Sequence, residues 1–172
     1  SPAEGLLTIV NEHNVGADDV DQIVVRMPES GAHTVNDREM PDINLQFIFA
    51  VALIDGRVSF EAAHSFERMS DPKVLDVRSR ITLIGDPELS RAQPDYQAIV
   101  EVITKDGRNL VERVTSFRGR AENPLTTGEV GEKALDLMEP ILGQAQSKEL
   151  IDAINNLEAL PSVRELRPLL SA

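Results

Sequence analysis

The 172-residue chain contains no cysteine, which excludes disulfide bonds and thiolate metal sites. It also lacks a glycine-rich phosphate-binding loop, the ligand spacing of a zinc site and the G-x-S-x-G nucleophile elbow. Its three histidines lie far apart in the sequence, so none belongs to a metal-ligand pattern. A chain without cysteine is compatible with a reducing compartment, and we expect it in the cytoplasm.

Basic residues are few: the chain has 17 lysines and arginines and 29 acidic residues. Its formal net charge is therefore −12 and its pI is near 4.6. This charge repels nucleic-acid phosphates and anionic lipids, and the sequence contains no local basic patch to offset it. The longest apolar run, residues 47–54, is too short for a bilayer span, which needs ~20 apolar residues. We therefore predict neither a nucleic-acid partner nor a membrane partner.

The order of periodic segments predicts an α+β fold, with helices at both ends of the chain and strands between them. Strand patterns occupy three segments: "IVV" at 23–25, "RITLIGD" at 80–86 and the alternating "QAIVEVITKDGRNLVERV" at 97–114. The last predicts a hairpin turning at Asp106 and Gly107, and the strands together predict a small antiparallel sheet. A two-residue turn would set Glu101 opposite Glu112, a mildly unfavourable like-charge pair.

The stretch "MPDINLQFIFAVALIDG" at residues 40–56 is the most apolar segment. Asp42 is a suitable N-cap and Gly56 a suitable helix stop, so we predict a helix over residues 43–55. Every position from Phe47 to Ile54 is apolar, and a helix that is hydrophobic on all sides must be buried. The sequence therefore predicts a central core helix.

Two amides, Asn44 and Gln46, interrupt the first turn of this helix. Free backbone N–H groups and the positive end of the helix dipole already favour an anion there, so the two side chains could complete a carboxylate-binding corner. Alternatively, both amides bond to neighbouring backbone, since buried polar groups need partners. Such a corner would bind a substrate but supplies no base to move a proton.

His33 lies in residues 29–39, "ESGAHTVNDRE", which have no hydrophobic period and many turn-forming residues. We predict a loop there, and long loops in compact domains are often functional. A surface role and a ligand contact both stay open for His33. His13 and His64 fall in short helices, where a structural or surface role is the simpler interpretation.

The chain is predicted to be helical from residue 126 to its end. Thr126 and Glu129 form a possible capping box, Ser147 is predicted to begin the next helix, and Ser162 with Glu165 a last short one. One face of the first helix is apolar and consists of Val130, Ala134, Leu137, Met138 and Ile141. Apolar helices at the end of the chain predict packing against a further structure. Because the sequence also begins at Ser1, within a predicted helix, we expect a piece of a longer protein.

Several segments in this order resemble the C-terminal region of the MmgE/PrpD family: "EHNVGADDVDQIVVRMP", "MPDINLQFIFAVALIDGRVS", "RMSDPKVLDVRSRITL", "VEVITKDGR" and "RGRAENPLTTGEVGEK". The resemblance implies a two-domain enzyme in which residues 1–172 form the smaller α+β domain. Residues 126–172 would be helices that return toward a helical domain in the missing N-terminal part. The family's active site lies between the two domains, and its proton-transfer groups would lie outside this chain.

The resemblance also implies where this chain contacts substrate. The matching positions of the buried helix are Asn44, Gln46 and Phe47, and Phe47 departs from the family where a tyrosine is often found. With His33 from the loop argument, we predict four substrate-binding residues, no catalytic residue and no metal ligand in this chain. A phenolic donor at residue 47 would be missing, which favours a distinct branch of the family.

The implied activity is that of a lyase or isomerase: a dehydratase, decarboxylase or epimerase that works without metal or organic cofactor. Such an enzyme abstracts a proton alpha to a carboxylate of a small di- or tricarboxylate. The resemblance further implies a homodimer. The alternative is a noncatalytic module that dimerises or binds a small acid.

Overall fold

A four-stranded sheet with the order β2-β1-β3-β4 is built from the β-branched segments of the first part of the chain. Its strands are β1 (Val20–Pro28), β2 (Ile81–Asp86), β3 (Ala98–Thr104) and β4 (Asn109–Val114). The computed structural model describes residues 2–171, which divide into two units between Asn123 and Pro124. The predicted α+β class is confirmed.

The sheet is mixed, which corrects the prediction of an antiparallel sheet. β1 and β2 run parallel, with Ile23 opposite Ile81 and Val25 opposite Leu83, whereas the β1–β3 and β3–β4 pairs are antiparallel. Parallel neighbours need a long connection, and residues 29–80, which are mainly helical, return the chain to the end of the sheet at which β1 begins. β2 lies at the edge of the sheet, and helices pack beside it.

Six helices belong to the first unit: α1 (Pro2–His13), α2 (Glu29–Val35), α3 (Leu45–Asp55), α4 (Phe60–His64), α5 (Phe66–Met69) and α6 (Pro72–Arg78). Two 3₁₀ turns, Pro41–Ile43 and Leu89–Arg91, complete it. α1 packs on β3 and β4, and α3 packs between α1, β2 and α6. The core therefore lies between this helical layer and the inner face of the sheet.

α3 is the central core helix that the sequence predicts, with eight of its eleven residues buried. Gly56 ends it in the left-handed conformation with φ +70°, as predicted. The predicted N-cap is wrong: Asp42 lies in the preceding 3₁₀ turn, and Asn44 is the cap. No helix within residues 2–171 is both long enough and apolar enough to cross a membrane.

Residues 29–35 form helix α2, so the prediction of a loop over residues 29–39 is wrong for most of that segment. α2 packs against β2 and buries Ala32. A single buried residue in seven produces no detectable hydrophobic period, and a helix this short depends on tertiary packing rather than on propensity. Residues 36–39 do form a connection without helix or strand.

The hairpin between β3 and β4 forms as predicted, but its register differs by one residue. Glu101 lies opposite Val111 rather than Glu112, and its carboxylate accepts a hydrogen bond from Asn109 Nδ2 at 2.8 Å. The loop contains three residues, closed by a bond from Gly107 N to Thr104 O, and Gly107 has φ +89°. Turns of this kind require a left-handed residue in the third position, where glycine is unstrained. The like-charge pair expected from the sequence does not exist.

The second unit, residues 124–171, is helical. Its elements are α7 (Thr127–Leu142), α8 (Gln144–Asn155) and the 3₁₀ segments Leu157–Ala159 and Val163–Leu170. The Thr126–Glu129 capping box is confirmed. α8 begins at Gln144 rather than at the predicted Ser147, which is instead buried and donates to Gly143 O.

Asp106 gives a pH-dependent test of the hairpin loop. The hydroxyl of Thr104 donates to its carboxylate and Arg108 adds further bonds, which lowers the pKa of Asp106 from 3.8 to about 2. Because the folded-state pKa is the lower one, the carboxylate stabilises the loop above pH 3.8. This stabilisation is lost as the pH falls through about 2. We expect a carbon-13 NMR titration of the Asp106 carboxyl to show this low midpoint, and Thr104→Val to move it back upward. A midpoint near 3.8 in the unsubstituted chain would contradict the loop geometry.

Candidate functional site

Asn44 is fully buried and holds the beginning of α3 in place. Its Oδ1 accepts a hydrogen bond from Phe47 N at 2.8 Å, and its Nδ2 donates to Arg38 O. The first bond caps the helix by satisfying one of its free N–H groups, at an end where the first three residues of the helix are buried. The second bond ties the helix to the connection before it. Both ends of the amide are thus used within the protein.

Gln46 is 6% exposed and bonds to the same connection. Its Oε1 accepts from Asp37 N at 3.0 Å, and its Nε2 donates to Asn36 Oδ1 at 2.6 Å. Asp37 has φ +47°, a left-handed conformation that aspartate tolerates better than most residues. The amide of Gln46 therefore holds a short, strained segment against the N-terminal end of α3.

The two amides do not converge on one cavity. Asn44 borders a small, mainly apolar cavity of about 160 Å³, together with residues such as Ile43 and Phe49. Gln46 borders a different and more polar cavity of about 510 Å³. The sequence left two interpretations open, a carboxylate-binding corner and bonds to neighbouring parts of the protein. The structure contains the internal hydrogen bonds of the second interpretation, and Gln46 in addition borders the more polar cavity. Substrate binding by either residue stays a prediction.

Phe47 and His33, the other two predicted binding residues, lie in different surroundings. Phe47 is completely buried and belongs to the hydrophobic core. His33 is exposed on α2, and its carbonyl oxygen accepts a hydrogen bond from the Arg38 guanidinium. The roles proposed for them from the sequence stay predictions.

The polar cavity lies beside the edge strand β2 and the C-terminal end of α6. We call it the Arg78 cavity, and its lining residues are Asn36, Asp37, Gln46, Leu75, Arg78, Ser79, Ile81, Thr82 and Leu83. Arg78 is the cationic residue of this set. Its Nη2 lies 2.7 Å from Asp37 Oδ1, and the arginine side chain is 17% exposed while that of Asp37 is 69% exposed. A half-enclosed guanidinium in a polar cavity can bind a carboxylate in two-pronged geometry.

Successive hydrogen bonds link these residues to one another. Asn44 and Gln46 hold residues 36–38, and Asp37 in turn holds Arg78 through its carboxylate. Neither Arg78 nor Asp37 was predicted from the sequence as a site residue, and the two are 41 residues apart. The available signals were weak: an arginine in the last turn of a helix and an aspartate in an aperiodic segment. Only the packing of α6 beside α3 brings them together.

Comparisons with known proteins agree with the resemblance noted from the sequence. Residues 1–159 match the family model described as the MmgE/PrpD C-terminal domain. Cis-aconitate decarboxylase of Mus musculus is 25% identical over 160 residues, covering 90% of this chain and 32% of the relative. Cis-aconitate decarboxylase of Homo sapiens is 24% identical over 157 residues, covering 89% of this chain and 32% of the relative. The chain thus spans about a third of the length of these curated relatives.

The structural role of Asn44 can be measured directly. We expect Asn44→Ala to lower the free energy of unfolding by roughly 2 to 3 kcal/mol, because it removes a helix cap and the hydrogen bond to the Arg38 carbonyl, and empties a fully buried position. Asn44→Ser retains a capping oxygen, so about half of that loss should return.

Urea denaturation of the two variants beside Asn11→Ala, an exposed position in α1, provides the measurement. The control should change stability by less than about 0.5 kcal/mol. If Asn44→Ala matched the control, the amide would not be a structural element of α3, and the internal-bond interpretation would fail.

Proposed function

This chain belongs to the MmgE/PrpD family, and we propose on that premise that it is the C-terminal part of a lyase or isomerase acting on a small di- or tricarboxylate. The observation that carries the proposal is the family match, which extends over residues 1–159 rather than over one motif. The name of the two relatives, cis-aconitate decarboxylase, adds a lyase with a tricarboxylate substrate.

The proposed reaction begins with removal of a proton alpha to a carboxylate. The negative charge that develops on the substrate then needs fixed donors. Its electron pair expels a hydroxide, which leaves as water with a proton, or it takes a proton back. Protonation on the opposite face of the same carbon gives epimerisation, whereas protonation at another carbon allows a carboxylate to leave as carbon dioxide, and a further proton then replaces it. This sequence of steps uses a base, a set of donors and no cofactor. The base would come from the part of the protein outside this chain.

This chain would supply binding and positioning groups. The Arg78 cavity contains a guanidinium, side-chain amides and hydroxyls within about 510 Å³, a volume in the range of small-molecule sites. Its polar lining suits a polycarboxylate better than an apolar ligand. The chain carries a net charge of −12, so an anionic substrate would need a local cation of this kind.

We further propose that the second unit contacts the helical domain of the same protein, and that the whole protein is a homodimer. The apolar face of α7 supports the first part: Val130 and Ile141 are 51% and 71% exposed. Apolar surface at regular helical spacing is typical of a packing face.

The activity is tested by proton NMR in deuterated water with cis-aconitate, citrate and 2-methylcitrate. We expect solvent exchange or turnover with the full-length protein and neither with the 172-residue chain, because the base lies elsewhere. Activity of the short chain alone would contradict this division. A full-length protein that binds these acids without exchange or turnover would favour the noncatalytic module.

The packing face is tested by Ile141→Glu in both proteins. In the short chain the residue is 71% exposed, so we expect the free energy of unfolding to change by less than about 0.5 kcal/mol. In the full-length protein a buried charge without a partner should cost about 3 kcal/mol or more, measured by chemical denaturation.

Gln144→Glu is the matched control, since it adds the same charge at an exposed position of α8. It should have little effect in either protein. Equal effects of Ile141→Glu in the short and full-length proteins would show that this face has no partner in the missing part.

A further inference from the structure

In the Arg78 cavity the guanidinium of Arg78 contacts the carboxylate of Asp37, which is the contact that Arg78 would make with the carboxylate of a ligand. We propose that Arg78 is the carboxylate anchor of a ligand site, and that Asp37 occupies the position of the ligand carboxylate until the ligand enters. The inference rests on the proposed function only for the class of ligand, a small di- or tricarboxylate.

The guanidinium of Arg78 has more N–H donors than its contact with Asp37 uses. A guanidinium carries five N–H groups, and within residues 2–171 the side chain makes one hydrogen bond, from Nη2 to Asp37. Its low exposure, 17%, restricts the approach of water and strengthens a charged contact. A ligand carboxylate that accepted two parallel bonds would use this guanidinium more fully than Asp37 does.

Asp37 can give up its contact without unfolding the segment around it. Its backbone N–H is held by Gln46 Oε1, so the left-handed backbone at φ +47° does not depend on the carboxylate. The side chain is 69% exposed and can rotate into water, where it is well solvated. Because water solvates the released carboxylate of Asp37, it offsets part of the lost contact with Arg78, and displacement by a ligand that replaces that contact costs little.

The rest of the cavity offers sites for a second polar group of the ligand. Thr82 and Leu83 lie on β2, which is the edge strand of the sheet and pairs only with β1 among the described strands. The outer side of an edge strand presents backbone N–H groups that have no partner strand. Asn36 and Gln46 add side-chain amides to the lining of the cavity. These donors favour an acid with more than one carboxylate.

Binding of tricarballylate to the nitrogen-15-labelled 172-residue chain tests the proposal, with inorganic phosphate as the comparison anion. Amide shift changes should concentrate at residues 36–37, 46 and 78–83. Arg78→Gln should weaken binding by at least about 10-fold, since a charge-assisted bond is lost. Asp37→Asn should tighten binding by about 2- to 5-fold, because it removes the competing carboxylate.

Two matched controls separate this exchange from general electrostatics. Asp18→Asn removes the same charge at an exposed turn between α1 and β1, and Arg57→Gln removes an exposed arginine just beyond the other end of α3. Neither should change the affinity by more than about 2-fold, since exposed charges at a distance are screened.

Each other outcome overturns a definite part of the proposal. No binding by the unsubstituted chain, or undiminished binding by Arg78→Gln, removes the anchor. If Asp37→Asn binds tricarballylate no more tightly than the unsubstituted chain does, the carboxylate of Asp37 does not compete with the ligand. This result decides the point even if Arg78→Gln does not fold. Phosphate bound as tightly as tricarballylate would make the cavity a general anion site.

The inference and the proposed function fail separately. Turnover by the full-length protein without binding at the Arg78 cavity leaves the function intact and places the substrate elsewhere. Binding at the cavity without turnover by the full-length protein retains the anchor and removes the lyase or isomerase activity.

Discussion

The burial of α3 on all sides is the constraint on which the first unit depends. Because eight of the eleven residues of α3 are buried, including the first three, water has little access to the N–H groups of its first turn, and the protein itself supplies acceptors. Asn44 supplies one through its side chain. In doing so it ties the helix to Arg38, and the neighbouring Gln46 ties the helix to residues 36 and 37. The apolar core thereby determines the path of a polar connection.

That path has a chemical consequence at the edge of the sheet. Because residues 36 and 37 are held against α3, the carboxylate of Asp37 reaches the guanidinium at the end of α6. The resulting cavity combines a cation with amides and hydroxyls in a chain that is otherwise strongly acidic. The two amides thus act as positioning groups for a charged cavity, and this role is compatible with a binding role for Gln46.

The second unit follows a different physical rule. Its helices α7 and α8 pack on each other, yet the apolar stripe of α7 is largely exposed, including Leu137 and Ile141. A helix of this amphipathic pattern is stabilised mainly by burial of its apolar face. The chain spans 32% of the length of the two cis-aconitate decarboxylases that it matches, and this exposed face is the basis of the proposed contact with a helical domain.

The sequence alone determined the features that arise from local chemistry. The helix stop at Gly56, the capping box at Thr126 and the buried character of α3 depend on neighbouring residues, and all were predicted correctly. The order of several weakly specific segments was enough to indicate the family. These signals are readable because backbone capping and hydrophobic periodicity act over a few residues.

Tertiary structure alone decided the rest. α2 forms because Ala32 is buried in a fold where α2 packs on β2. The parallel pairing of β1 with β2 depends on how a long helical connection returns to the sheet. The meeting of Asp37 with Arg78 joins residues far apart in sequence. Such contacts depend on how whole helices and strands pack together, and no pattern of neighbouring residues in the sequence predicts them.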